Sequence, residues 1–206
     1  MQKIFTEREA EEFLEKQGFN LVKRANIKKI EQIADIEREI AYPWVMKVNS
    51  SKIAHKAKLG GVILNITSQI KAQEAFEKLE KIENFEEVMI QEQISGEEII
   101  VGLKKTPEFS QVLMFGKGGS KVEEEKDVVF RVLPLKNKEL DEMIKEIRFY
   151  KILNEKQVNI KSIKELLLKT SKLAKAYPKI IELDINPALV NSKEAKIVDA
   201  RIIIEA

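Results

Sequence analysis

The C-terminal end of the chain carries the strongest constraint on its fold. Two runs of alternating polarity, Ile181-Glu182-Leu183-Asp184-Ile185-Asn186 and Lys196-Ile197-Val198-Asp199-Ala200-Arg201-Ile202, flank the turn-forming Asn191-Ser192-Lys193-Glu194. Strand side chains alternate between faces with period two, so a hairpin uses both runs at once. With the turn centred between Ser192 and Lys193, Asn186 faces Asp199 and Asp184 faces Arg201. These four then share one face, while Leu183, Ile185, Val198, Ala200 and Ile202 supply an apolar face for a core. Two carboxylates and an amide oxygen at this spacing form a hard-oxygen site suited to Mg²⁺, with Arg201 balancing charge in its absence. A solvated polar face with one cross-strand ion pair has the same pattern, and spacing alone leaves both open.

Composition narrows the chemistry. The 206 residues include no Cys and one His, which excludes a disulfide framework, a thiolate nucleophile, an Fe–S cluster, Cys-ligated zinc and a histidine-rich metal site. Lys and Arg number 36 against 34 Asp and Glu, a net charge of +2 without the focused basic field of nucleic-acid or membrane-surface binders. Neither a nucleic acid nor a membrane is expected as a partner. The N-terminus has no apolar signal core, and no apolar run reaches the roughly 18 residues of a membrane span, so the chain reads as cytoplasmic. With 44% hydrophobic residues it can bury an ordinary core, as one domain or two small lobes.

Thr6-x-x-Glu9 predicts a capping box, with Ala10, Phe13 and Leu14 on one helix face and Gly18 as the stop. A strand over 20–23, a helix carrying Ile30, Ile33, Ala34 and Ile40, and a strand from Trp44 to Val48 give a β-α-β opening. A polar loop over 49–61 places His55 between strands; a strand over 62–66, a helix from about Gln69 to Ile82 and a strand over 88–92 close the first lobe. The second lobe opens as antiparallel sheet, with strands over 97–104, 111–115 and 128–133. Two helices follow, capped by Asn137 and Ser162, before the terminal hairpin.

Several single features bear on chemistry. Lys47 ends a strand in an apolar context, as either a phosphate contact or a surface lysine. The Gly116-x-Gly118-Gly119 loop either offers backbone N–H groups to a phosphate or only turns the chain. Arg131, inside a strand, calls for an anionic partner, either a phosphate or a structural carboxylate. His55 is either a surface residue or a nucleophile for transient phosphoryl attachment.

Five segments taken in order resemble one family. They are Tyr42 to Val48, His55 to Val62 (His-Lys-Ala-Lys-Leu-Gly-Gly-Val), Val112 to Gly119 (Val-Leu-Met-Phe-Gly-Lys-Gly-Gly), Asp127 to Leu135 and Glu182-Leu183-Asp184-Ile185-Asn186-Pro187. The chain resembles the ATP-grasp β subunit, or β domain, of ADP-forming acyl-CoA synthetases over about 6–204, nearly its whole length. The resemblance implies an α/β (α+β) two-lobed ATP-grasp fold, with a small lobe over about 20–93, a large lobe over about 94–206, and the first helix, 6–17, packing with either. It also implies adenine nucleotide held between lobes, Lys47 on its phosphates, the strand from Glu92 to Ile94 at adenine and Glu98 on the ribose. Gly118 and Gly119 would lie beside the phosphates and Arg131 near the terminal one. Asn186 and Asp199, with Asp184, would hold Mg²⁺, and His55 would relay a phosphoryl group from a phosphohistidine on a partner to ADP.

The reaction so implied converts acyl-CoA, ADP and phosphate reversibly to acid, ATP and CoA. No Gly-x-Gly-x-x-Gly segment and no second His are present, so an α subunit with CoA-binding and phosphohistidine domains is the expected partner, in a heterotetramer. Lys58 stands where the family usually carries an acid, and Lys117 and Ser120-Lys121 replace apolar residues, making the phosphate region more basic. A catalytically silent ATP-binding module, which Lys58 motivates, and a different ATP-grasp ligase working without a partner remain the competing readings.

Overall fold

The computed structural model describes residues 1–53, 56–120 and 122–205. His55, the expected relay nucleophile, and Lys121 lie outside the described residues. The chain runs β1 (Gln2–Ile4), α1 (Glu7–Lys16), β2 (Arg24–Ile27), α2 (Ile33–Glu39), β3 (Trp44–Asn49), β4 (Val62–Ile66), α3 (Gln69–Leu79) and β5 (Glu87–Glu92). It continues through β6 (Glu97–Lys104), β7 (Val112–Lys117), α4 (Val122–Glu125), β8 (Val128–Val132), α5 (Asn137–Glu146), α6 (Tyr150–Glu155), α7 (Ile160–Ala176), β9 (Ile180–Val190), β10 (Ala195–Ile197) and β11 (Ala200–Glu205). It divides into two compact units, one of residues 22–94 and one of residues 1–21 with 95–206.

In the larger unit the strands follow the order β1-β11-β9-β6-β7-β8, with β10 on β9 and every pairing antiparallel. Alternation decides the rest. Ile99, Val101 and Leu103 of β6, Leu113 and Phe115 of β7 and Leu183 and Ile185 of β9 are buried in a core with Leu14 of α1, Leu140 and Met143 of α5 and Ile163 and Leu167 of α7. Each such side chain contributes about 1.5–3 kcal/mol by leaving water. The intervening residues, including Glu98, Gly102, Met114 and Asp184, fall on the opposite, helix-free face.

The first helix starts as its sequence predicts. Thr6 Oγ1 accepts from the Glu9 N–H at 3.2 Å and the Thr6 N–H donates to the Glu9 carboxylate at 2.9 Å, the reciprocal capping box. Its Ala10 and Leu14 place α1 in the larger unit. In α7 the cap is Asn159, whose Oδ1 accepts from the Ser162 N–H at 3.1 Å, so Ser162 lies inside the first turn rather than at the cap. Asn137 is likewise already helical, with Lys136 at the cap of α5.

The smaller unit is a four-stranded antiparallel sheet, β2-β5-β3-β4. Trp44, Met46 and Val48 of β3 and Val88 and Ile90 of β5 pack with Ile33 of α2 and Phe76 and Leu79 of α3. The Trp44 indole N–H is satisfied by the Ile40 carbonyl at 2.9 Å. The strand expected over 20–23 forms instead over 24–27; before it, Leu21 makes only a single bridge to Ile197. Three-residue β1 and six-residue α6 carry too short a pattern to be read from sequence. Among the described residues no helix is long and apolar enough to cross a membrane.

Candidate functional site

The hairpin pairs Asp184 with Arg201 and Ile185 with Ala200, and the Asn186 N–H donates to the Asp199 carbonyl at 3.1 Å. This is the register that the alternating pattern predicts. The second strand is nevertheless broken. Pro187 has no N–H to donate, and its carbonyl accepts from both Val198, at 3.1 Å, and Asp199, at 3.4 Å. The pairing of Ile197 with Ala188 keeps the hairpin register, but both strands change face together at the break, so Ile197 rather than Val198 enters the core, and β10 and β11 form in place of one continuous strand.

Across the sheet Asp184 lies opposite Gly102, Gly102 opposite Met114, and Met114 opposite Phe130. Asp184 Oδ1 is buried without a hydrogen-bond partner. Burial pushes its carboxyl up to about 6, the negative charges of Asp199 and Glu182 push the same way, and Arg201 opposes them. A divalent cation is the ligand this arrangement fits, because it would satisfy the orphaned oxygen and remove the repulsion between carboxylates. Among the described residues no three His, Cys, Asp or Glu side chains converge. Asp184, Asp199 and the Asn186 amide oxygen are the groups that could hold such a cation, with further oxygens from water or phosphate.

Asn186 also holds the glycine turn. Its Oδ1 accepts from the Gly119 N–H at 2.8 Å, and its Nδ2 donates to the Gly119 carbonyl at 3.4 Å. The Gly118 N–H donates to the Glu98 carbonyl at 2.9 Å. Both glycine N–H groups are thus engaged inside the protein, so the turn does not present them to a phosphate as expected. A Cβ on Gly118 would lie 2.6 Å from the Ile99 backbone, and one on Gly119, whose φ is +96°, would lie 2.1 Å from Glu98 Oε2. Close approach explains both glycines.

Arg131 takes its structural alternative. Its strand neighbour Phe130 shares the face of Asp184, so Arg131 turns to the helix-covered side, where it pairs with Glu146 of α5. Lys117 does not add free positive charge to the turn: its ammonium lies 2.6 Å from the Glu125 carboxylate and over the Phe149 ring.

The remaining expected residues belong to the smaller unit. Lys47 is buried on β3, beside Met89 and Val62, on the face opposite Trp44 and Met46. The Glu92 carboxylate accepts from the Lys23 N–H at 2.9 Å. The strand ends at Glu92, so Ile94 lies beyond β5 and not within it. On the Lys47 face, buried Asn49 donates to Glu87 at 2.7 Å, with Gln91 also buried. Sequence reading missed this polar layer, because β3 is buried at every position and so lacks a polar face in its pattern.

Comparison with known proteins agrees with this architecture. The ATP-grasp domain model matches residues 1–204. The chain is 38% identical to the β subunit of ADP-forming acetate–CoA ligase I of Pyrococcus furiosus, covering 96% of this chain and 90% of that one. It is 38% identical to ADP-forming acetate–CoA ligase II of Archaeoglobus fulgidus, matching 98% of this chain but 30% of that longer protein. Acetyl-coenzyme A synthetase 1 of Candidatus Korarchaeum cryptofilum, solved with coenzyme A and Ca-AMPCP, superposes with a TM-score of 0.92 at 34% identity, over 98% of this chain and 94% of that one. Another form of it holds Mg-AMPPCP, with a phosphohistidine segment pointing towards the nucleotide binding site. With a family model spanning nearly every residue and a β-subunit relative matched over 90% of its length, the chain belongs to the ATP-grasp family, among the β subunits and β domains of ADP-forming acyl-CoA synthetases.

Proposed function

We propose that this chain is the nucleotide-binding half of an ADP-forming acid–CoA ligase, interconverting acyl-CoA, ADP and phosphate with free acid, ATP and CoA. The observation that carries the reading is the orphaned Asp184 oxygen beside the Asp199 charge, a costly arrangement that a bound divalent cation relieves. The Korarchaeum relative's complexes with Ca-AMPCP and Mg-AMPPCP support the same ligands here.

Asp184, Asp199 and Asn186 would hold Mg²⁺, which would neutralise charge on the transferring phosphoryl group. Lys47 neutralises nucleotide phosphate, Glu98 accepts from ribose hydroxyls, and the chain from Glu92 to Ile94 meets the adenine edge. Asn186 fixes the Gly118–Gly119 turn against Glu98, which holds the ribose acceptor in place. His55 is the relay: its imidazole nitrogen takes the phosphoryl group from a phosphohistidine of the α module, one P–N bond breaking as another forms. A β-phosphate oxygen of ADP then takes the group, the new P–N bond breaks, and neutral imidazole returns. The chain spans about 30% of the first curated relatives it matches; its likeness to a β subunit of Pyrococcus furiosus supports an α partner that carries the CoA-binding and phosphohistidine parts, in a heterotetramer.

Reconstitution with the α module tests the proposal. The complex is expected to form ATP from acyl-CoA, ADP and phosphate, and His55→Ala is expected to abolish this while magnesium-nucleotide binding persists. Full turnover in that variant would remove the relay role.

A further inference from the structure

The edge strand β4 is interrupted in its middle. Ile63 lies opposite Met46 and Ile66 opposite Trp44, so Leu64 and Asn65 together face the single residue Val45, a β-bulge. Its second residue, Asn65, has a φ of +59°, in the left-handed region. Among the described residues four non-glycine positions have positive φ, and Asn65 is the one inside a strand. The bulge aims Asn65 at Gln93. The Asn65 N–H donates to Gln93 Oε1 at 2.7 Å, and Gln93 Nε2 donates back to Asn65 Oδ1 at 2.8 Å. Gln93 directly follows β5, and the sheet order is β2-β5-β3-β4, so this reciprocal amide pair spans β3.

Gln93 belongs to the segment proposed to meet the adenine edge, and the unit of residues 22–94 ends one residue later. There β5 has stopped and individual contacts hold the chain. The Glu92 N–H donates to the Lys23 carbonyl at 2.9 Å, the Glu92 carboxylate accepts from the Lys23 N–H at 2.9 Å, and the Gln93 N–H donates to the Pro43 carbonyl at 2.8 Å. Lys23 thus ties the segment on the β2 side, and Pro43 and Asn65 tie it on the side of β3 and β4. Stability does not account for the amide pair. Both of its hydrogen bonds are exposed to water, where such bonds contribute little net, while a left-handed asparagine and an interrupted strand each cost free energy. What the pair gains is a fixed backbone at Gln93.

Resting on the ligase reading above, we infer that Asn65 and Gln93 are positioning residues for the nucleotide base. Their amide pair sets the backbone from Glu92 to Ile94 in advance, so that adenine meets a segment already in place and less ordering is lost on binding. Both residues act through that backbone, and the strained conformation of Asn65 is what brings its amide within reach of Gln93.

Three variants separate this role from a structural one. Asn65→Gly keeps the left-handed backbone and removes the side-chain bond, Gln93→Leu removes both bonds at similar size, and Asn65→Asp keeps an acceptor for Gln93 Nε2 in a residue that tolerates the same φ. Each full chain is titrated with Mg-ATP and with Mg-tripolyphosphate, which has no base, and its melting temperature is recorded without ligand. Asn65→Gly and Gln93→Leu are expected to weaken Mg-ATP by about tenfold, with Mg-tripolyphosphate affinity and melting temperature unchanged. Asn65→Asp is expected to bind both ligands as the wild type does. Unchanged Mg-ATP affinity in the first two variants would overturn the inference. Equal weakening of both ligands would overturn it too, by making the pair a support of the whole unit, as would weakened Mg-ATP binding in Asn65→Asp, by showing that the pairing is not what matters. A wild-type chain that binds neither ligand would instead overturn the nucleotide reading itself, and the inference would fall with it.

Discussion

On the helix-covered face of the larger sheet, Leu103, Leu113 and Leu183 are buried against α5 and α7, and even the charged Arg131 finds its carboxylate in Glu146. One strand-width away, on the other face, Asp184 has a buried oxygen without a partner and a second carboxylate acting on it, and Phe130 lies open to water. The two faces are made by the same strands, residue by alternate residue. One is arranged for stability and the other leaves interactions unmade, which is what a surface waiting for ligands shows. A charged residue inside a strand is therefore uninformative until its face is known: Arg131 and Asp184 read alike in sequence and differ completely in surroundings.

The largest test acts on the covered face. Leu103→Ala should cost about 2–5 kcal/mol of stability in chemical denaturation, while the folded fraction keeps its nucleotide affinity. Reduced affinity in correctly folded protein would mean that the faces are not separable. On the open face, Asp199→Ala should remove the magnesium-dependent thermal stabilisation by ADP, roughly 2.7 kcal/mol at a hundredfold excess over Kd, and leave the metal-free protein at least as stable.

Asp184→Asn sharpens the contrast with a gain. The folded-state pKa of Asp184 is raised, from 3.8 to about 6, so the metal-free protein should lose stability as pH rises from about 4 to about 6. The amide variant should flatten that fall and be about 1–3 kcal/mol more stable at pH 7, while losing magnesium-dependent binding. A variant with unchanged pH dependence would show that the carboxylate is not strained.

Thr6→Ala should cost about 1 kcal/mol through the lost cap. Glu9 of that cap is held below the ordinary carboxylate range by the Thr6 N–H, so its contribution has the opposite sign, present above about pH 4.5 and lost as pH falls. The smallest effect is expected for Arg131→Gln, under about 1 kcal/mol for a partly exposed pair, with the nucleotide shift intact. A lost shift would restore Arg131 to the phosphate.

How much was legible follows from where the signal lies. The capping box at Thr6 and Glu9, the strands over 97–104 and 62–66, and the pairing of Asp184 with Arg201 were readable because each depends on neighbours a few residues apart or on one short turn. The break at Pro187, where Ile197 rather than Val198 enters the core, was not readable, since the change of face there accompanies a register shift between β9 and the distant β6. The glycine loop left phosphate donor and plain turn both open because its chemistry is local, whereas the partners that consume its N–H groups, Glu98 and Asn186, come from β6 and β9. The buried Asn49 and Glu87 pair joins strands 38 residues apart and leaves no periodic trace.

By itself the sequence determined the ATP-grasp family, the alternation of strands and helices, and the hairpin register that sets Asp184 across from Arg201. These follow from period-two and helical patterning, which local sterics impose. Only the tertiary structure decided that Arg131 turns to a helix carboxylate, that Asn186 latches the glycine turn, and that Asp184 is left with an unmet oxygen. Each of those outcomes depends on which distant strand or helix lies opposite, and burial, which sets the cost of an unmet charge, exists only once the chain has closed around it.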